Sequence, residues 1–196
     1  AEVYTVGQPV PPDFNQIHYG CWFNLDKRYQ PGVVAGDEGG NRWVELRPKA
    51  GQKAARVIAC FGRSNIATEA IYAPLRIRLS FQFEGTLPED LVFQVLGGDG
   101  KSRATILGGS GDQLQVSFGG NRHPFGPRLE PGRWYVLEMK LPPSPATHSR
   151  WTANLYETDG TTLLESQEGR VSRSVAENGG NYRSLDILHR VPDHTV

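Results

Sequence analysis

From Leu75 to Phe83 every second residue is apolar, and no other feature of the chain restricts its fold so tightly. Leu75, Ile77, Leu79, Phe81 and Phe83 alternate with Arg76, Arg78, Ser80, Gln82 and Glu84. Successive side chains of an extended chain point to opposite sides, so this segment is a strand with one dry and one wet face. The same period recurs along the sequence. It marks strands over Leu91 to Leu96, Arg103 to Leu107, Gln113 to Phe118, Arg133 to Leu141, Trp151 to Tyr156 and Leu185 to Val191. Upstream, Arg42 to Arg47 and Ala55 to Phe61 read as two more.

Turn signals separate them: Gly97-Gly98-Asp99-Gly100, Gly108 to Asp112, Gly119-Gly120-Asn121 and Thr158-Asp159-Gly160. No window sustains the 3.6-residue helical period. About ten short strands with no helix to cover a sheet describe an all-β, two-sheet antiparallel β-sandwich (jelly roll) or a barrel. The irregular stretch from Pro142 to His148 is too short for a domain linker. At roughly 100–200 residues per domain, residues 1–196 form a single domain.

Composition excludes several partners. Lys plus Arg and Asp plus Glu both count 21, so there is none of the basic excess expected of a nucleic-acid binder. No apolar run is long enough for a membrane span. Cys21 and Cys60 cannot build a four-ligand zinc site alone, and can be either one disulfide or two buried thiols. A chain beginning Ala-Glu-Val suits a mature secreted protein, and an arbitrary chain boundary explains it equally well.

Three segments resemble the concanavalin A-like, laminin-G-like jelly-roll superfamily. Gly32-Val33-Val34 with Gly40 to Leu46 resembles the early hairpin of its secreted bacterial members. Leu129 to Glu138, with Gly132-Arg133-Trp134-Tyr135, resembles a Gly-x-Trp strand. Trp151 to Leu164, followed by Ser184 to Leu188, resembles the last hairpin and closing strand. The resemblance implies a jelly roll, a polysaccharide or oligosaccharide partner, a secreted, periplasmic or cell-surface location, and a place beside other domains of a larger protein. The superfamily holds lectins, carbohydrate-binding modules, glycoside hydrolases and polysaccharide lyases, so fold alone does not choose a reaction.

A curved sandwich turns one polar face into a concave groove. The residues out of phase with the core are Arg76, Arg78, Gln82, Glu84, Gln94, Arg103, Thr105, Gln113, Gln115, Glu138, Lys140, Thr152, Asn154 and Tyr156. Planar amides and guanidinium forks match sugar hydroxyls, and Arg adds a bidentate grip on carboxylate or sulfate. Sixteen arginines against five lysines fit such groups, although an ordinary wet sheet face has the same composition. The binding set expected from sequence is Arg76, Arg78, Gln82, Gln94, Arg103, Gln113, Gln115 and Glu138, with Trp22 as an aromatic platform. Trp134 and Trp151 sit at strand positions that resemble core positions of the superfamily, which implies a structural role. Trp22, Trp43 and Tyr182 are open to either role.

The enzymatic alternatives have weaker support. A retaining glycosidase of this fold would carry Glu-x-Asp-x-x-Glu on a strand, and the string is absent; Glu84 and Glu138 would have to share a face. Gln16-Ile17-His18 and Arg42-x-x-Glu45-Leu46-Arg47 loosely resemble two strands of alginate lyases, in reversed order and without the Tyr-x-Lys strand. A polysaccharide lyase acting on a uronate glycan is therefore the alternative function, with a non-glycan scaffold third. The five histidines have no metal-binding spacing. The resemblance also implies a structural calcium, which would map onto Asp13 and Asp186, unless Asp186 pairs with an arginine.

Overall fold

The alternating segments do become strands. A computed structural model of the chain describes residues 7–8, 22–23, 29–31, 33–38, 41–49, 54–61, 74–97, 100–143, 150–170 and 182–190. These form β1 (Trp22–Phe23), β2 (Tyr29–Pro31), β3 (Val33–Gly36), β4 (Arg42–Glu45), β5 (Ala54–Cys60), β6 (Leu75–Phe81) and β7 (Leu91–Leu96). They continue as β8 (Ser102–Gly108), β9 (Leu114–Phe118), β10 (Asn121–Phe125), β11 (Tyr135–Leu141), β12 (Arg150–Tyr156), β13 (Leu163–Arg170) and β14 (Ser184–Arg190). One 3-10 turn, Ser110–Asp112, is the sole helical element among the described residues.

One sheet has eight strands, ordered β1-β5-β14-β7-β8-β9-β10, with β2 alongside β5; the other has four, ordered β13-β12-β11-β6. All pairings are antiparallel except that of β2 with β5. The chain passes between sheets from β5 to β6, β6 to β7, β10 to β11 and β13 to β14, as a jelly-roll sandwich requires. A separate hairpin, β3–β4, is closed by Asp37, whose carboxylate accepts bonds from the Asn41 backbone and side-chain amides at 2.9 and 2.7 Å.

The two inner faces supply the core. Ile77 and Phe81 of β6, Leu137 and Met139 of β11 and Trp151 and Leu155 of β12 meet Phe93 and Val95 of β7, Ile106 of β8 and Leu114 and Val116 of β9. Phe81 and Phe93 have ring centroids 5.4 Å apart, and Phe118 sits 4.9 Å from Trp151. Fully burying side chains of this size gains about 1.5–3 kcal/mol each, so the interlayer is the main source of stability. Tyr182, open to either role by sequence, is fully buried and donates its hydroxyl to the Pro142 carbonyl at 2.5 Å.

Two strands escape the period-two pattern. β10 (Asn-Arg-His-Pro-Phe) and β13 (Leu-Leu-Glu-Ser-Gln-Glu-Gly-Arg) are mostly polar, and both are edge strands, where one side of the backbone needs no ladder partner and Pro124 is tolerated. Asp112, one of few buried charges, adopts φ 60° after Gly111 and ties the loops together. Its carboxylate accepts from the Leu87 amide at 2.9 Å and from Arg128 at 3.1 Å, and these bonds hold the carboxyl below its ordinary value.

Where β13 crosses β9, Gly169 lies directly against the Phe118 ring, and a Cβ there would overlap it. Gly169→Ala is expected to lower stability by about 1–3 kcal/mol through overpacking, measured as a shift in urea midpoint.

Candidate functional site

The register of the four-stranded sheet sorts its outward residues into rows. Arg78 of β6 lies opposite Glu138 of β11, which lies opposite Asn154 of β12 and then Ser166 of β13. The next row runs Arg76, Lys140, Thr152, Glu168, and Tyr156 follows Asn154 by two positions on β12. At the centre, Glu138 points away from the core yet is 0% exposed, because its neighbours close over it.

A carboxylate removed from water needs hydrogen-bond donors in place of it. Glu138 has four. Oε1 accepts from Asn154 Nδ2 at 2.8 Å, Lys140 Nζ at 3.1 Å and the Tyr156 hydroxyl at 3.2 Å; Oε2 accepts from Arg76 Nε. The network extends outward, since Asn154 Oδ1 accepts from Ser166 Oγ at 2.6 Å. Arg78 is turned the other way: its guanidinium lies 5.2 Å from the Tyr156 ring centroid and donates to the Gly160 carbonyl. Burial by itself would push the Glu138 carboxyl up, but the bonds from Asn154, Arg76 and Lys140 outweigh it and lower it from 4.5 to about 2. Glu138 is thus ionised at neutral pH, and its role is to hold a rigid lattice of cations and amides.

A concavity opens beside β6, an edge strand of the four-stranded sheet. It is a cleft of about 900 Å³ floored by Val57, Phe81, Phe93 and Ile187, with the β3–β4 hairpin on one side. Trp43 and Trp134 line it, both half-buried, 6.5 Å apart and inclined at 72°. Trp43 donates Nε1–H to Glu45 at 3.3 Å, and His189 Nδ1 lies 3.3 Å from the Leu46 carbonyl, linking β14 to the hairpin. Trp134, expected in the core, instead precedes β11 and borders this cleft; Trp151 is buried as expected.

The single face expected from sequence is divided among several places. Arg76, Arg78 and Glu138 share the outer face of the four-stranded sheet, together with Lys140, Thr152, Asn154 and Tyr156. Gln94, Thr105 and Gln115 lie on the outer face of the other sheet, which points the opposite way. Gln82 and Glu84 border the cleft, so Glu84 does not share a face with Glu138. Gln113 donates to the Gly126 carbonyl at 2.6 Å. Arg103 is buried over Gly97, because a bulge sets Val95 and Leu96 opposite Ala104 and Ser102 and leaves Arg103 as the extra residue. Both Asp186 oxygens are engaged, by Arg56 Nε at 2.7 Å, Arg56 Nη2 at 2.9 Å and Gln94 at 3.0 Å. Among the described residues no group of three His, Cys, Asp or Glu is placed to hold a metal, and no helix is long and apolar enough to cross a membrane. Asp13, Gln16, His18 and Cys21, and the side chains of Trp22, Arg42 and Cys60, lie outside what is described.

No protein-family sequence model matches the chain, and no curated protein sequence matches it. Solved structures do. The CBM2 module of the evolved Dit of Lactobacillus casei BL23 phage J-1 is similar with TM-score 0.50 and 14% identity, over 94% of this chain and 88% of that chain. A sialidase is similar with TM-score 0.55 and 14% identity, over 83% of this chain. The likeness is one of fold. This chain spans 13% of the sialidase's length.

Because the carboxyl of Glu138 is lowered on folding, its contribution to stability is complete above its ordinary value of 4.5 and is lost as pH falls through about 2. Glu138→Gln places an amide donor among donors. It is expected to cost about 2–3 kcal/mol, less than for a fully enclosed pair because Arg76 and Lys140 keep one side in water. Urea midpoints measured across the acid limb check both the loss and the flattened pH dependence of the variant.

Proposed function

We propose that this chain is a non-catalytic saccharide-binding module of the concanavalin A-like, laminin-G-like kind. In this reading it is an exported accessory part of a larger bacterial protein, and the outer face of its four-stranded sheet is the hollow that takes the glycan. The array around Glu138 carries the proposal. Sugar hydroxyls are bound best by planar donors and acceptors fixed in advance, since side chains already immobilised lose little entropy on binding. Arg76, Lys140, Asn154 and Tyr156 are held in that way by one buried carboxylate. The two fold neighbours lend support: one is named a sialidase and the other a CBM2 module, names that belong to carbohydrate-handling proteins. That the same fold makes up 13% of the sialidase chain fits an accessory role.

In this reading Glu138 is a structural anion and not a glycosidase acid. A glycosidase acid must carry a proton near neutrality, whereas this carboxyl is held at about 2. A retaining enzyme also needs a second carboxylate about 5–5.5 Å away. The direct cross-strand neighbours of Glu138 are Arg78 and Asn154.

The test is an immobilised glycan panel. Arg78→Ala is expected to weaken the best-bound glycan about tenfold, a loss of ~1.4 kcal/mol. Gln94→Ala and Gln115→Ala, on the opposite sheet, should leave binding unchanged. Equal losses in all three variants overturn the choice of face, and failure to bind any glycan overturns the module. A rise in ultraviolet absorbance from a new conjugated double bond in uronate polymers would identify a lyase instead.

A further inference from the structure

We infer that the glycan taken by this face is an acidic one, a polymer bearing carboxylate or sulfate groups, gripped by the exposed arginines and lysine of the four-stranded sheet, Arg150 and Arg170 included. The inference rests on the saccharide reading above and adds the chemical class of the ligand. It comes from a charge asymmetry that the composition conceals. The whole chain balances 21 basic against 21 acidic residues. The outward strand positions of the four-stranded sheet do not balance. They carry five cations, namely Arg76, Arg78, Lys140, Arg150 and Arg170, against two carboxylates, Glu138 and Glu168. The rest of the chain therefore holds the matching acidic excess.

The two carboxylates do not cancel the field where a ligand would meet it. Glu138 is sealed beneath its own donors, while Arg76 is 62% exposed and Lys140 50%. Glu168 is 3.5 Å from Arg150, which leaves Arg170 directly opposite Arg150 across the β12–β13 ladder. Arg76 faces Lys140 across β6–β11 with Glu138 already bonded to both, so the cross-strand repulsion left to a ligand is that of Arg150 with Arg170. Like charges set opposite each other on one face repel, and an anion between them reverses the sign of that interaction. A guanidinium also binds a carboxylate or sulfate through two parallel bonds, a geometry that neutral hydroxyls do not exploit fully. Arg78, stacked on Tyr156 and anchored at Gly160, presents such a group in a fixed place.

The experiment compares polygalacturonate with its fully methyl-esterified form, the same sugar chain with its charges capped. Chondroitin sulfate, dextran and duplex DNA complete the set. The acidic glycans are expected to bind at least tenfold tighter than the ester and dextran, and to weaken about tenfold between roughly 50 and 200 mM salt. The double variant Arg150→Gln with Arg170→Gln, outside the Glu138 network, should abolish the preference while leaving the urea midpoint close to that of the parent. If the ester or dextran binds as tightly as the acid, the acidic class is wrong and the saccharide reading stands. If no glycan binds, both fall. DNA binding as tight as the acidic glycans, or a preference that survives the double variant, also overturns the inference.

Discussion

Two sheets exclude water from the space between them only when every second side chain of one meets every second side chain of the other, and this constraint organises the protein. Phe81, Leu137 and Trp151 on one layer and Phe93, Ile106 and Val116 on the other satisfy it. Their burial carries most of the folding free energy. The alternate positions are released from packing and can be spent on polar chemistry. Gly169 marks how closely the layers approach, since β13 has room for the Phe118 ring only because that position has no side chain. Arg103 marks where alternation fails: the bulge opposite Val95 and Leu96 adds a residue, and a guanidinium goes in over Gly97 instead of out.

On the outer face of the four-stranded sheet a second constraint takes over. Glu138 is a charge without water, and such a group persists only when fully bonded. Meeting that need immobilises Arg76, Lys140, Asn154 and Tyr156 at once, so the order of the polar face is a consequence of one buried carboxylate. The eight-stranded sheet shows the same logic with Asp186, Arg56 and Gln94, where both carboxylate oxygens are consumed internally. What distinguishes the first face is the surplus of exposed cations left after its carboxylates are paired.

Much of this was legible in the chain. The period of two located β7, β9, β11, β12 and β14 to within a residue or two, carried β6 three residues too far, to Glu84, and named Ile77, Phe81, Leu137, Met139 and Leu155 as inward. It missed β10 and β13, because both bury little and their sequences are mostly polar, with no alternating apolar residues to read. Glu138 stood among the candidates, yet nothing along the chain distinguished it from Gln94 or Gln115.

That last failure has a general cause. Alternation depends on neighbours along the backbone, so the sequence alone determined most of the residues that leave the core, and with them the all-β class and most strand positions. Which of the two outer faces each such residue joins depends on strand order, decided by pairings between segments as distant as Arg76 and Glu138. Only the tertiary structure makes those pairings, and it alone separated the Glu138 lattice from the glutamines on the far side, buried Arg103, and brought Trp43 to Trp134 at the mouth of a cleft.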